Sequence, residues 1–252
     1  MVILACDKNI EFLKFDKSDS TRGEKGMGDL TLFTMSGLDF LFRWIHLLGG
    51  ITWIGLLYYF NFVQTEYFKE ADPAHRSGAI QKLVPRALWW FRWGAMLTFL
   101  TGVALLSYRH AGLTYAITVG SILGTLMFLN VWLIIWPNQK IVIASANSVA
   151  EGNEALPEAA GAAPKAALAS RTNTLFSAPM LFMMFASGHL SLGSNTMLTA
   201  VSGASVAAVL LIIFLLEINA IFGKQGPLTS VPGVIHCSLG LTAVFYLLMA
   251  LL

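Results

Sequence analysis

Arg43-Trp44-Ile45-His46-Leu47-Leu48-Gly49-Gly50-Ile51-Thr52-Trp53-Ile54-Gly55 belongs to the first of six long apolar runs in a chain of 252 residues. Of these residues 56% are hydrophobic and only 12% are charged, against roughly 25% charged in a soluble domain. Unbroken apolar runs near ~20 residues are what a helix needs to cross the hydrocarbon core. An open sheet would leave its edge groups unpaired in lipid, and a barrel would show alternation. The expected fold is all-α: a polytopic membrane protein, a bundle of about six transmembrane helices.

The expected spans are residues 36–64, 88–108, 114–136, 173–191, 196–222 and 233–252. Together they make one transmembrane helical domain over 27–252. Segment 1–26 carries Lys8, Lys14, Lys17, Arg22 and Lys25 without a long apolar stretch, so it does not read as a signal peptide. It is set aside as a disordered extension or a consequence of start-codon choice, with Met27 as an alternative start. Between the first two spans, Asp72-Pro73 reads as a helix start. Residues 137–172 are Ala-rich with three prolines and read as a loop holding short surface helices.

Lys and Arg sort the loops. Lys69, Arg76, Lys82, Arg86, Lys140, Lys165, Arg171 and Lys224 fall on one face, and Arg43 and Arg109 on the other. Basic loops stay inside, so both ends of the helical core are expected outside, on the periplasmic face of a bacterial inner membrane. The basic residues of 1–26 argue the reverse, and the conflict vanishes if translation starts at Met27. The net charge of +2 gives no reason to expect nucleic acid as a partner. Cys6 and Cys237 lie far apart in different contexts, and no Cys-x-x-Cys-His motif for covalent haem occurs.

Ionisable groups inside a bilayer are functional hypotheses by default. His46 has Gly49 and Gly50 one turn on, along the same helix face. One reading is an axial ligand to a b-type haem, with little side chain in the way. The other is helix packing, which favours small residues and hydrogen-bonding histidines. His189 follows Gly188 and sits at a matching depth, so it is the candidate second ligand of the haem iron or else an interfacial end residue. His110 reads first as a helix C-terminal histidine and is held as a reserve ligand. His75 is expected to be solvated. His236 and Glu217 stand where they could meet in a proton relay, although an interfacial pair such as Glu217 with Lys224 is the plainer reading. Arg43 and Arg92 are candidates to offset propionate or substrate charge. Asp39 stands four residues before Arg43 and can pair with it. The run Trp89-Trp90-Phe91-Arg92-Trp93 also reads as an aromatic belt at the membrane boundary.

Four strings together carry a resemblance. They are Arg43-Trp44-Ile45-His46 with Gly50-Ile51-Thr52-Trp53-Ile54-Gly55; Trp89-Trp90-Phe91-Arg92-Trp93-Gly94-Ala95-Met96; Asn130-Val131-Trp132-Leu133-Ile134-Ile135-Trp136-Pro137-Asn138-Gln139-Lys140; and Arg171-Thr172-Asn173-Thr174 with Ser177-Ala178-Pro179-Met180 through to His189. In this order they resemble the membrane domain of the urate hydroxylase (PuuD) family, the urate oxidase N-terminal domain, over about residues 36–192. The resemblance implies oxidation of urate to 5-hydroxyisourate, with electrons passing to a fused C-terminal cytochrome c domain. This chain shows no haem-attachment motif, so the expectation becomes a membrane redox protein that passes electrons to a separate c-type cytochrome. The reading of another class is a non-catalytic accessory subunit of a respiratory or photosynthetic complex, its histidines serving as helix contacts. Asn130 and Gln139 belong to the strings without an assigned chemistry.

Overall fold

The computed structural model describes residues 32, 34–108, 112–190 and 201–251. Among these residues the regular structure is helical: α1 (Met35–Glu70), α2 (Pro73–Lys82), α3 (Val84–Ser107), α4 (Tyr115–Ala150), α5 (Ala159–His189), α6 (Gly203–Phe222) and α7 (Val231–Leu251). α1, α4, α6 and α7 are long and apolar enough to cross a membrane. This fits the expected all-α, multi-pass membrane protein. The extension 1–26, with Cys6, lies outside the described residues, as do Arg109 and His110.

Hydroxyls start the helices where their own sequence supplies them. Thr34 caps α1 by accepting from the Gly37 N–H (3.2 Å), Thr114 caps α4 from Ile117 (3.3 Å), and Ser202 caps α6 from Ser205 (3.2 Å). Each satisfies one of the N–H groups that a helix start leaves orphaned. Asp72 and Pro73 open α2 as expected, Pro73 standing where its missing N–H costs nothing.

The stretch expected as a loop, 137–172, is mostly helix. α4 runs on through Pro137 to Ala150, and α5 begins at Ala159. Alanine is the strongest helix former, and the prolines are accommodated locally. A wider π-helical turn over Asn130–Ile135 precedes Pro137, and the Asn138 side chain donates to the Ile134 carbonyl (2.7 Å). A second π-turn interrupts α1 over Tyr59–Gln64. Each of these helices, at 36 residues, is about 54 Å long, far beyond the ~30 Å hydrocarbon core. Their distal ends therefore project from the membrane, where α2 packs against α3 and α4. Here the end bearing Met35 is termed proximal and the end bearing Glu70 distal.

α5 is the central helix, packed against α1, α4, α6 and α7. Arg171, Thr172, Asn173, Thr174, Leu175, Phe176 and Ser177 are all buried in it. Pro179 cannot donate to the Leu175 carbonyl one turn back. Ser238 of α7 does so instead (2.8 Å), which keeps that carbonyl satisfied inside the bundle.

α1 and α3 pack antiparallel at very close range. A Cβ added to Gly49 would lie 2.8 Å from Thr98 Oγ1, and one added to Gly94 would lie 3.2 Å from the Trp53 backbone nitrogen. Gly50 faces open space. Gly94→Leu should therefore force the two helices apart and cost about 1–3 kcal/mol, read as a lower thermal midpoint in detergent. Gly50→Ala should leave that midpoint unchanged or slightly raised, since alanine favours helix.

Candidate functional site

Two levels of the bundle hold polar chemistry. At the proximal level His46 of α1 leans on α3, with Nδ1 3.1 Å from Thr101 Oγ1. The Thr101 hydroxyl spends its own proton on the Leu97 carbonyl (2.7 Å). An oxygen whose proton is so engaged accepts, so the contact suits the His46 tautomer with its proton on Nδ1 and the lone pair on Nε2. Gly102 makes room for the ring: a Cβ there would lie 3.1 Å from His46 Cε1. Gly49, read as clearance for a flat cofactor, is instead filled by α3, as in the packing alternative.

His189 and His46 lie equally many residues from a shared α1–α5 contact. Tyr58 of α1 meets Ser177 of α5 (2.8 Å), His46 is 12 residues before Tyr58, and His189 is 12 after Ser177. The two imidazoles have different surroundings. His189 is exposed at the end of α5, its ring 5.9 Å from Phe185. No hydrogen bond joins it to His46 among the described residues. Arg43 is exposed and held by Asp39 through two bonds, Nε–Oδ2 at 2.6 Å and Nη2–Oδ1 at 3.2 Å.

Arg92 belongs elsewhere. It lies nine residues before Thr101 on α3, about 13 Å along the axis. Its guanidinium stacks over the Trp136 ring at 3.7 Å. Trp89, Trp90 and Trp93 around it are exposed, as an aromatic belt would be.

The distal level is richer. Asn130 Nδ2 donates to Asn173 Oδ1 (3.0 Å) and to Glu217 Oε2 (3.2 Å), and Asn173 Nδ2 donates to the Met127 carbonyl (2.9 Å). Asn61 Nδ2 donates to Ser170 Oγ (2.8 Å). Glu217 is thus held by Asn130 and not by His236, whose Nδ1 lies 2.6 Å from the Pro232 carbonyl on an exposed face. Arg171, counted above as a loop charge, is buried within α5. His75 is solvated, 3.7 Å from Asp72. Asn61, Gln64 and Arg171 escaped the sequence reading. Their signal was present: amides inside an apolar first span, and a polar run opening the fourth.

The level joins three of the four strings: Arg92 from the second, Asn130 and Trp136 from the third, Arg171 and Asn173 from the fourth. Residues 109–225 match the family model described as urate oxidase N-terminal. The urate oxidase N-terminal match covers the third and fourth strings and supports a urate-oxidase-like membrane domain in general terms. No curated protein and no solved structure matched the chain.

Asn173→Leu keeps the volume but removes the acceptor of one Asn130 amide N–H and the side-chain donor to the Met127 carbonyl. An orphaned buried group costs about 1–3 kcal/mol, so the thermal midpoint should fall. Ser238→Ala, which strands only the Leu175 carbonyl, should lower it less.

Proposed function

We propose that this chain is the membrane part of a urate-oxidising redox system in a bacterial inner membrane. Its proximal face looks to the periplasm, and it passes electrons to a separate c-type cytochrome. The family match supports urate as the substrate. The charge pattern supports the orientation: Lys69, Arg76, Lys82, Lys140, Lys165 and Lys224 all sit in the distal parts of the chain.

The observation that carries the redox reading is the chain His46 Nδ1–H to Thr101 Oγ1–H to Leu97 carbonyl. A ligating histidine fixes its tautomer by donating its other ring N–H in this way. His46 fits the ligand role, and we assign it to hold a b-type haem, with His189, an equal number of residues from the Tyr58–Ser177 contact, as the second ligand. When bound, the haem supplies one-electron chemistry. Thr101 orients the imidazole, and the close α1–α3 packing holds both residues in register.

The second reading is a non-catalytic accessory subunit. The filled space at Gly49 favours it, because there the small residue serves helix contact.

A reduced-minus-oxidised spectrum of the purified protein separates the two. The redox reading expects b-type bands that vanish in His46→Ala while circular dichroism still reports an intact helical bundle. Thr101→Val should weaken haem retention about tenfold, the usual cost of losing such a supporting bond. His75→Ala should change nothing. A colourless wild-type protein purified with haem supplied would reject the redox reading and favour the accessory subunit.

A further inference from the structure

Five buried side-chain polar atoms lack a hydrogen-bond partner among the described residues: Trp53 Nε1, Gln64 Oε1, Arg92 Nη1, Trp132 Nε1 and Arg171 Nη1. The last four share the distal level, one each from α1, α3, α4 and α5. Those helices form a closed ring of neighbours: α1 packs on α3, α3 on α4, α4 on α5, and α5 back on α1.

The shared height follows from contacts around the ring. Asn61 bonds Ser170, with Gln64 one turn further along α1 and Arg171 beside Ser170. The Phe60 and Phe91 rings meet edge to face at 5.5 Å, and Arg92 follows Phe91. Arg92 stacks on Trp136, and Trp93 meets Trp132 at 5.6 Å. Asn130 bonds Asn173, with Trp132 and Arg171 each two residues to the distal side.

The charge balance at this level is one-sided. The ion pairs among the described residues are Asp39–Arg43, Glu66–Lys69 and Asp72–His75, so neither Arg92 nor Arg171 has a carboxylate within bonding range. Glu66 acts on Arg171 at longer range but is engaged by Lys69 at 2.8 Å. Glu217 is engaged by Asn130. Arg171 is only 3% exposed, and a buried guanidinium without a partner is costly. Two guanidinium edges and an indole N–H offer donors to an anion's oxygens. The Gln64 carbonyl oxygen offers an acceptor, which an inorganic anion without a proton, such as sulfate, cannot use but a ring N–H can.

We propose that Gln64, Arg92, Trp132 and Arg171 form an anion site at the distal level. Its ligand is a small planar heterocyclic anion that carries both carbonyl oxygens and an N–H. The choice of urate as the probe rests on the function proposed above; the site itself rests on the four unpaired groups.

The experiment is equilibrium binding of urate, and separately of inorganic sulfate, to the purified full chain in detergent. Wild type should bind urate saturably. Arg171→Gln and Arg92→Gln should each weaken it at least tenfold. Gln64→Leu should weaken urate and spare any sulfate binding. Without ligand, Arg171→Gln should melt no lower than wild type, because it removes an unpaired buried charge. Urate binding that ignores both arginine substitutions, or no urate binding at all, overturns the site. A lower ligand-free melting point of Arg171→Gln overturns it too, by making Arg171 a structural residue. Sulfate bound as tightly as urate, with Gln64→Leu neutral, overturns the heterocycle assignment. A protein that lacks haem yet binds urate through Arg171 upholds the site while the redox reading fails.

Discussion

A bilayer offers no hydrogen bonds, so every polar group carried into it must find its partner within the protein. That constraint organises this bundle around α5. The run from Arg171 to Ser177 cannot face lipid, and four other helices cover it. Its partners come from each of them: Tyr58 from α1, with Asn61 on the adjoining Ser170, Asn130 and the Met127 carbonyl from α4, Glu217 through Asn130 from α6, and Ser238 from α7. The outer helices are free to be apolar because the central one is not. Exposed leucines and phenylalanines on α6 and α7, such as Leu211, Phe214 and Leu239, are then lipid contacts and need no further account.

The two π-turns fall where this polar level is built. Tyr59–Gln64 carries Asn61 and Gln64, and Asn130–Ile135 carries Asn130 and Trp132. A π-turn adds a residue per turn and re-aims the side chains beyond it, and such turns recur at functional sites. Pro137 accounts for the second, since a ring without N–H cannot close the turn before it. In the first, the Thr65 hydroxyl takes up the Phe60 carbonyl (2.7 Å). Both interruptions are thus satisfied locally, and both deliver polar side chains to one height.

The helical character and the positions of the apolar runs were legible because hydropathy reports them directly. The hidden part was α5. Residues 137–172 read as a loop because three prolines, Lys140 and Lys165 interrupt the apolar pattern, and Arg171 was then counted with the surface charges. A window average cannot distinguish a polar residue in water from one buried at a helix junction. The same limit split the reading of His46. Its glycines could serve a cofactor or a neighbouring helix, and only coordinates show Gly49 against Thr98 and Gly50 against open space. Asn130 and Asn173 sit in strings already singled out, yet their bond spans 43 residues of sequence that no local pattern records.

The two polar levels are built for different work. His46 and Gln64 are 18 residues apart on α1, about 27 Å along the helix, so no single small molecule touches both. Between them the α1–α3 contact at Gly49, Gly94 and Thr98 leaves no room for a Cβ and seals the path along that seam. An imidazole held through Nδ1 by a neighbouring helix suits a metal centre. Two unpaired guanidinium edges beside the projecting distal helices suit an anion arriving from that side. The proposed functions therefore divide by face: anion capture at the distal boundary and electron transfer at the proximal one. α1 carries both His46 and Gln64, and α3 carries both Thr101 and Arg92, so coupling between the levels has a direct path along this closely packed pair.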